Sequence, residues 1–309
     1  MKLFLLVGML LFNQQLNVPK EILLNDDGET IAVIDQSELF LPSPLGPFLN
    51  VSEYEQFLNQ LDKQIHKEPH NATIDDYGNI QQEKPGYRLN RFSLSLMLYN
   101  SLNKSDSAII NVPKIPVYPQ VDSELLSQIR EKKIGQYVTY YNSYNQKRSY
   151  NIVLAAKAIN NQVVFPGKTF SFNRVVGKRT AQKGYLLAPV IVKGEMSEGI
   201  GGGICQVSST LFNAADNSGL RIVERFSHSK SVAYVPRGRD ATVSWYGPDF
   251  RFTNKYNQPI LIRAKTFHGT LVVTIYSSDI INFKPRKIPS ASTKLPEEIK
   301  VTSEIESSN

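Results

Sequence analysis

Gly199-Ile200-Gly201-Gly202-Gly203-Ile204-Cys205-Gln206-Val207-Ser208-Ser209-Thr210-Leu211-Phe212 holds the only cysteine of the 309-residue chain, one residue beyond three consecutive glycines. Such a run lets several backbone N–H groups turn toward one point and lets the main chain approach a substrate closely. Beyond it the pattern becomes helical. Val207, Leu211, Ala214 and Ala215 recur at three- and four-residue spacing, and Asn217-Ser218-Gly219 supplies a stop with Gly219 as a left-handed cap. The spacing therefore predicts a helix that begins near Cys205, where the helix dipole and unpaired N–H groups favour a thiolate and hence a nucleophile. The competing reading is a small apolar filler, the common fate of a lone cysteine. Three flanking glycines and a polar first turn of Gln206, Ser208 and Ser209 argue against it.

Outward from this helix the chain turns β-rich. Strands are expected around Val163, Phe170, Tyr185 to Val192, Ile222 to Phe226, Ala241 to Trp245, Ile260 to Ala264 and Leu271 to Tyr276. Upstream, Glu124 to Arg130 and Tyr150 to Asn160 read as helices and Ile134 to Tyr140 as an alternating strand. The fold class is thus α+β, in two domains, the C-terminal one carrying the cysteine helix.

Nearer the start, Glu21 to Leu24 and Thr30 to Ile34 flank Asn25-Asp26-Asp27-Gly28 as a hairpin. Ser52 with Glu55 reads as a capping box for a helix. A helix near Phe92 to Leu102 and a strand from Ala108 to Val112 follow, and the prolines of 113–122 suggest an extended linker. The boundaries expected are 20–119 for the first domain, 120–280 for the second and 281–309 for a disordered tail rich in Pro, Ser, Lys and Glu.

Residues 1–19 begin Met-Lys and continue with an apolar run that Asn13-Gln14-Gln15 ends early, which suits an export signal or short membrane-associated segment rather than a full span. A buried strand is the alternative. In an exported chain a single cysteine makes no internal disulfide, so a retained free thiol invites a chemical role. The net charge of +7 fits an exterior rich in anionic wall polymers. No zinc-finger, helix-turn-helix or RNA-binding pattern occurs, which argues against nucleic acid.

Several ordered blocks, from Phe165-Pro166-Gly167-Lys168-Thr169-Phe170-Ser171-Phe172-Asn173 through Gly201 to Leu211, then His228-Ser229 and Gly238 to Val243, resemble the VanW family. The resemblance implies a bacterial protein acting outside the cell and a cysteine L,D-transpeptidase of peptidoglycan stem peptides; a carboxypeptidase or a non-catalytic wall-binding protein are the alternatives. The first domain loosely resembles the small module that precedes transpeptidase domains and is associated with peptidoglycan binding, carried by Ala72, Gly86 to Leu89 and the run to Pro119; a plain spacer is the other reading.

Among four histidines, His66 and His70 lie in the first domain and His268 in an expected turn, so His228, in the VanW-like block, is the candidate base for Cys205. Asp240 would orient His228, while Arg237 and Arg239 would grip a substrate carboxylate. Gly201, Gly202, Gly203 and Gln206 complete the expected substrate contacts, with backbone N–H groups from Gly203 to Cys205 holding an oxyanion. No cofactor is implied. His228 and Asp240 are too few for a metal centre, and His-Glu-x-x-His is absent, so no metal is expected.

Overall fold

A computed structural model describes residues 21–41, 48–101, 107–192 and 195–294. The expected export segment, 1–19, lies outside them. Among the described residues no helix is long and apolar enough to cross a membrane. The architecture is α+β, and the chain divides into two compact units, one comprising the chain up to His70 with Lys84–Pro119, the other Asn71–Glu83 with everything from Gln120 onward.

In the first unit, strands Glu21–Asp26 and Glu29–Asp35 form the expected hairpin, and Ala108–Asn111 adds in parallel to the first of them. Asp27 and Gly28 both take positive φ (48° and 92°), as a tight Asp-Gly hairpin turn requires. Helix Val51–Ile65 starts earlier than the Ser52 capping box suggests, because the Asn50 side chain accepts from the Glu53 N–H and caps it first. Its buried stripe, Tyr54, Leu58, Leu61 and Ile65, meets Ile22, Leu24, Leu94 and Leu98 in one core. The expected linker is partly a strand: Lys114–Val117 pairs antiparallel with Gly86–Leu89.

The second unit is organised around helix Ile204–Asn217, which packs on strands Lys132–Tyr140 and Thr270–Ser277 and on helix Gln146–Ile159. Behind it lies an antiparallel sheet in the order Lys132–Tyr140, Thr270–Ser277, Ile260–Phe267, Gln162–Val164. Burial runs almost all round the helix. Its polar residues are admitted because each is paired: Thr210 shares a 2.8 Å hydrogen bond with Thr139, and Asn213 donates to the Arg239 carbonyl at 2.7 Å. The helix ends as its sequence predicts. Gly219, at φ 76°, donates to the Asp216 carbonyl and Leu220 to that of Ala215, the paired bonds of a Schellman stop.

Three expectations need correction. Residues 71–83 belong to the second unit, because Asn161 brackets Ile74 with two 3.0 Å hydrogen bonds and Arg263 donates to the carbonyls of Ile74 and Asp75 at 2.8 and 2.9 Å. Ala241 to Trp245 is not a strand; it makes one isolated bridge, Thr242 to Phe226. The described part of the expected tail, 281–294, is ordered on the core through Ile281, Phe283, Ile288 and Ala291, with Tyr137 donating to the Pro289 carbonyl at 3.0 Å.

Candidate functional site

Gly203 is the N-cap of the cysteine helix, at φ 103°, and makes no side-chain cap. The open end follows from packing. A Cβ on Gly202 would lie 2.5 Å from the carbonyls of Ala188 and Pro189, and one on Gly203 about 3 Å from Arg148 and Ile152. Glycine is demanded here by the protein's own chain rather than by a substrate. Asn151, fully buried, fixes the loop by donating to the Leu186 and Gly202 carbonyls at 2.9 and 3.0 Å. The N–H groups of Ile204 and Gln206 are used inside the turn, on the Gly201 and Gly203 carbonyls. Those of Gly203 and Cys205 have no acceptor among the described residues.

Cys205 is partly exposed and its sulfur lies 3.8 Å from the Thr242 hydroxyl and 3.7 Å from the Val243 carbonyl. That segment is held against the helix by its polar turns: Ser208 donates to the Ala241 carbonyl at 2.5 Å, and the Ala241 N–H donates to Ser209 at 2.8 Å. The sequence reading expected the polar first turn; its partners come from a segment more than thirty residues downstream.

His228 is tied to Asp240 twice, ring Nδ1 at 2.7 Å and backbone N–H at 2.6 Å from the same carboxylate oxygen. Both side chains are less than a tenth exposed. With Nδ1 spent on Asp240, the other ring nitrogen is the one left to act on Cys205, whose charge His228 feels, while the sulfur's own hydrogen-bond contacts are Thr242 and Val243. Burial opposes the thiolate, but the nearby His228 and its imidazolium charge, with Val243 and Thr242 beside the sulfur, outweigh it and hold the Cys205 thiol below its ordinary value. Burial likewise opposes the imidazolium, and Cys205 and then Asp240 overcome it, so His228 titrates above its usual value. Asp240 also suffers burial, yet its bonds from His228 keep it below the usual carboxylate range. Arg225 fastens the two loops, donating to Ser227, the Gly238 carbonyl and the Asp240 carbonyl at 3.0, 3.1 and 2.8 Å.

The remaining expected contacts separate. Gln206 is fully buried, accepts from Arg148 at 2.8 Å and donates to Thr139 and the Tyr140 carbonyl, so it braces the helix and does not face a substrate. Arg239 is corrected as well: it pairs with Asp216 at 2.8 Å, donates to Asn213 at 2.7 Å and lies over Phe212. Arg237 is exposed and lines a pocket of about 220 Å³ with Ser227, Ser229, Lys230 and Ser231, against the His228–Asp240 pair. Sequence reasoning missed Arg179 and Tyr234. Burial raises the Tyr234 phenol, which also feels the Cys205 charge, and the Arg179 charge reaches Cys205 as well. Neither has a local signature, since only the folded loops bring them near the thiol.

Residues 147–276 match the sequence profile described as VanW like protein. The chain is 52% identical to the uncharacterized protein YoaR of Bacillus subtilis (strain 168) over 96% of its own length and 97% of that relative's. The chain belongs to the VanW family. It is also 32% identical to the vancomycin B-type resistance protein VanW of Enterococcus faecalis (strain ATCC 700802 / V583), over 36% of this chain and 42% of that protein. No solved structure matches. The VanW match contains Cys205, His228 and Asp240, and the first unit lies wholly outside it.

Proposed function

We propose that this VanW protein is a cysteine acyltransferase of the cell wall, an L,D-transpeptidase acting on peptidoglycan stem peptides outside the cytoplasm. The observation that carries the reading is the buried His228–Asp240 pair close to the chain's one cysteine, Cys205, which is partly exposed at an open helix N-terminus. The Cys205 thiolate attacks the carbonyl carbon of the donor peptide, and the N–H groups of Gly203 and Cys205 receive the oxyanion. The C–N bond then breaks, His228 giving its proton to the leaving amine and the acyl group remaining as a thioester. An acceptor amine attacks that thioester, passes a proton to His228 and releases the thiolate; water in its place makes the enzyme a carboxypeptidase. Asp240 keeps the ring oriented and supports its charge throughout. The basic, serine-lined pocket beside His228 suits the polar, anionic wall peptide.

Intact mass after incubation with a tetrapeptide stem should show an acyl adduct that Cys205→Ala abolishes, together with cross-linked product from wild type. Saturable binding with no adduct would instead support a non-catalytic wall-binding protein.

A further inference from the structure

Arg179 lies in the loop between helix Phe172–Val176 and the turn Ala181–Lys183. Its guanidinium carbon sits 5.7 Å from the centre of the Phe172 ring, and both Nη1 and Nη2 are buried without a hydrogen-bond partner among the described residues. Its stem packs on the glycine loop, with Cβ and Cγ 3.2 and 3.3 Å from where a Cβ on Gly201 would be. Cys205, Tyr185 and Asp249 act on Arg179 through charge, and no hydrogen bond from the guanidinium to any of them is formed among the described residues. Asp249 is occupied by the Ser171 hydroxyl and the N–H groups of Asn173 and Phe250, at 2.6, 2.8 and 2.8 Å. A buried, unpaired guanidinium is costly, and a fold retains one where a ligand completes it. Its planar fork of donors fits a carboxylate bidentately.

From this buried, unsatisfied fork, whose stem packs against the glycine loop that leads into Cys205, we propose that Arg179 is a specificity-determining residue that binds a carboxylate of the acyl donor adjacent to the carbonyl under attack. The inference rests on the acyl-transfer reading for the identity of the donor, though not for the presence of an anion site. Two carboxylates of a stem peptide lie close enough to the scissile bond: the terminal one of the leaving amino acid, and that of the diamino acid whose carbonyl is attacked. Arg179 replaces Arg239 in the role of substrate grip, because Arg239 is already committed to Asp216 and Asn213.

The first test needs no natural substrate. Iodoacetate and iodoacetamide alkylate a thiolate by the same displacement, sulfur forming the new bond to carbon as iodide leaves, and differ in the carboxylate. Taking the ratio of the two rates cancels changes in thiolate fraction, and His228 is present in every variant. Wild type should favour the anionic reagent, Arg179→Met should lower the ratio about tenfold or more, and Arg179→Lys should keep part of the preference. Because Met removes an unsatisfied charge, that variant should melt no lower than wild type. An unchanged ratio in Arg179→Met overturns the proposal, as does a large loss of stability with the ratio intact, which assigns Arg179 to packing. The second test offers stem peptides amidated at one carboxylate or the other. Wild type should acylate one of the two poorly and Arg179→Met should treat both alike, which names the carboxylate; equal discrimination by both proteins overturns the assignment. A lost ratio with no acylation by any peptide keeps the anion site and defeats the acyl-transfer reading instead.

Discussion

At Cys205 two opposed effects compete. Burial alone would keep the thiol protonated, while the proximity and charge of His228 stabilise the thiolate, and the second wins. The lowered thiol and raised imidazole pKa values move the two titrations toward each other, the direction that favours a thiolate–imidazolium pair. On the acid side the pair is lost as the thiolate takes a proton, at a pH below the ordinary thiol value of about 8.5; on the alkaline side it is lost as His228 gives one up. Alkylation of wild type by iodoacetamide should therefore be fast at pH 7. In His228→Gln it should fall about tenfold or more at pH 7 and much less at pH 9.5, where hydroxide deprotonates the thiol unaided. A pH profile unmoved by the substitution would place the base elsewhere, and a thiol that labels only after denaturation would make Cys205 a packing residue. Cys205 was legible as the chain's only cysteine and His228 as one of four histidines, whereas Asp240, one of twelve aspartates, was reached through the VanW-like block that holds it. Arg179 was not legible, since its meaning lies in what it fails to bond with, a property that only the folded loop creates.

The cysteine helix shows what periodicity can and cannot convey. Its start, stop and apolar positions follow from the glycines, Gly219 and the Val207–Leu211 spacing. Its polar residues suggested an open first turn, whereas Ser208 and Ser209 are buried clamps for the segment that carries Asp240. The glycines likewise belong to the element before they belong to the site. Gly202→Ala drives a methyl group against two backbone carbonyls of strand Leu187–Val192, those of Ala188 and Pro189, which side-chain rotation cannot relieve. It should cost about 3 kcal/mol, at the upper end for overpacking, and slow Cys205 alkylation at temperatures where the protein remains folded. Normal stability with normal labelling would show that the strand yields, and that the loop does not fix the thiol's position.

For the whole molecule the order of apolar elements sufficed for the α+β class, yet unit membership escaped, because 71–83 is held by side chains as far along the chain as Arg263 and Lys265. The 281–294 segment escaped for a related reason. Its composition is that of a disordered tail, and its few apolar residues follow no period, being seated one at a time on a surface already built. Beside hydrogen bonds from Tyr137 and Asn217, two contacts hold it whose strengths can be compared: the ion pair of half-exposed Arg286 with Asp216 at 2.6 Å, and the packing of Ile281 and its neighbours, Ile281 being 5% exposed. The magnitudes differ. The ion pair contributes about 0–1 kcal/mol, whereas burying an isoleucine contributes about 1.5–3 kcal/mol. Arg286→Met should therefore leave the melting temperature nearly unchanged. A chain ending at Ile280 loses Ile281, Phe283 and Ile288 from the core and the bond from Tyr137 to Pro289. Its second unit should lose about 3 kcal/mol or more, which at roughly 2–4 °C per kcal/mol lowers melting by about 6–12 °C. Calorimetry of the two variants separates the effects: a large drop for Arg286→Met would make the segment electrostatically held, and no drop on truncation would mean that its packing contributes nothing to the fold.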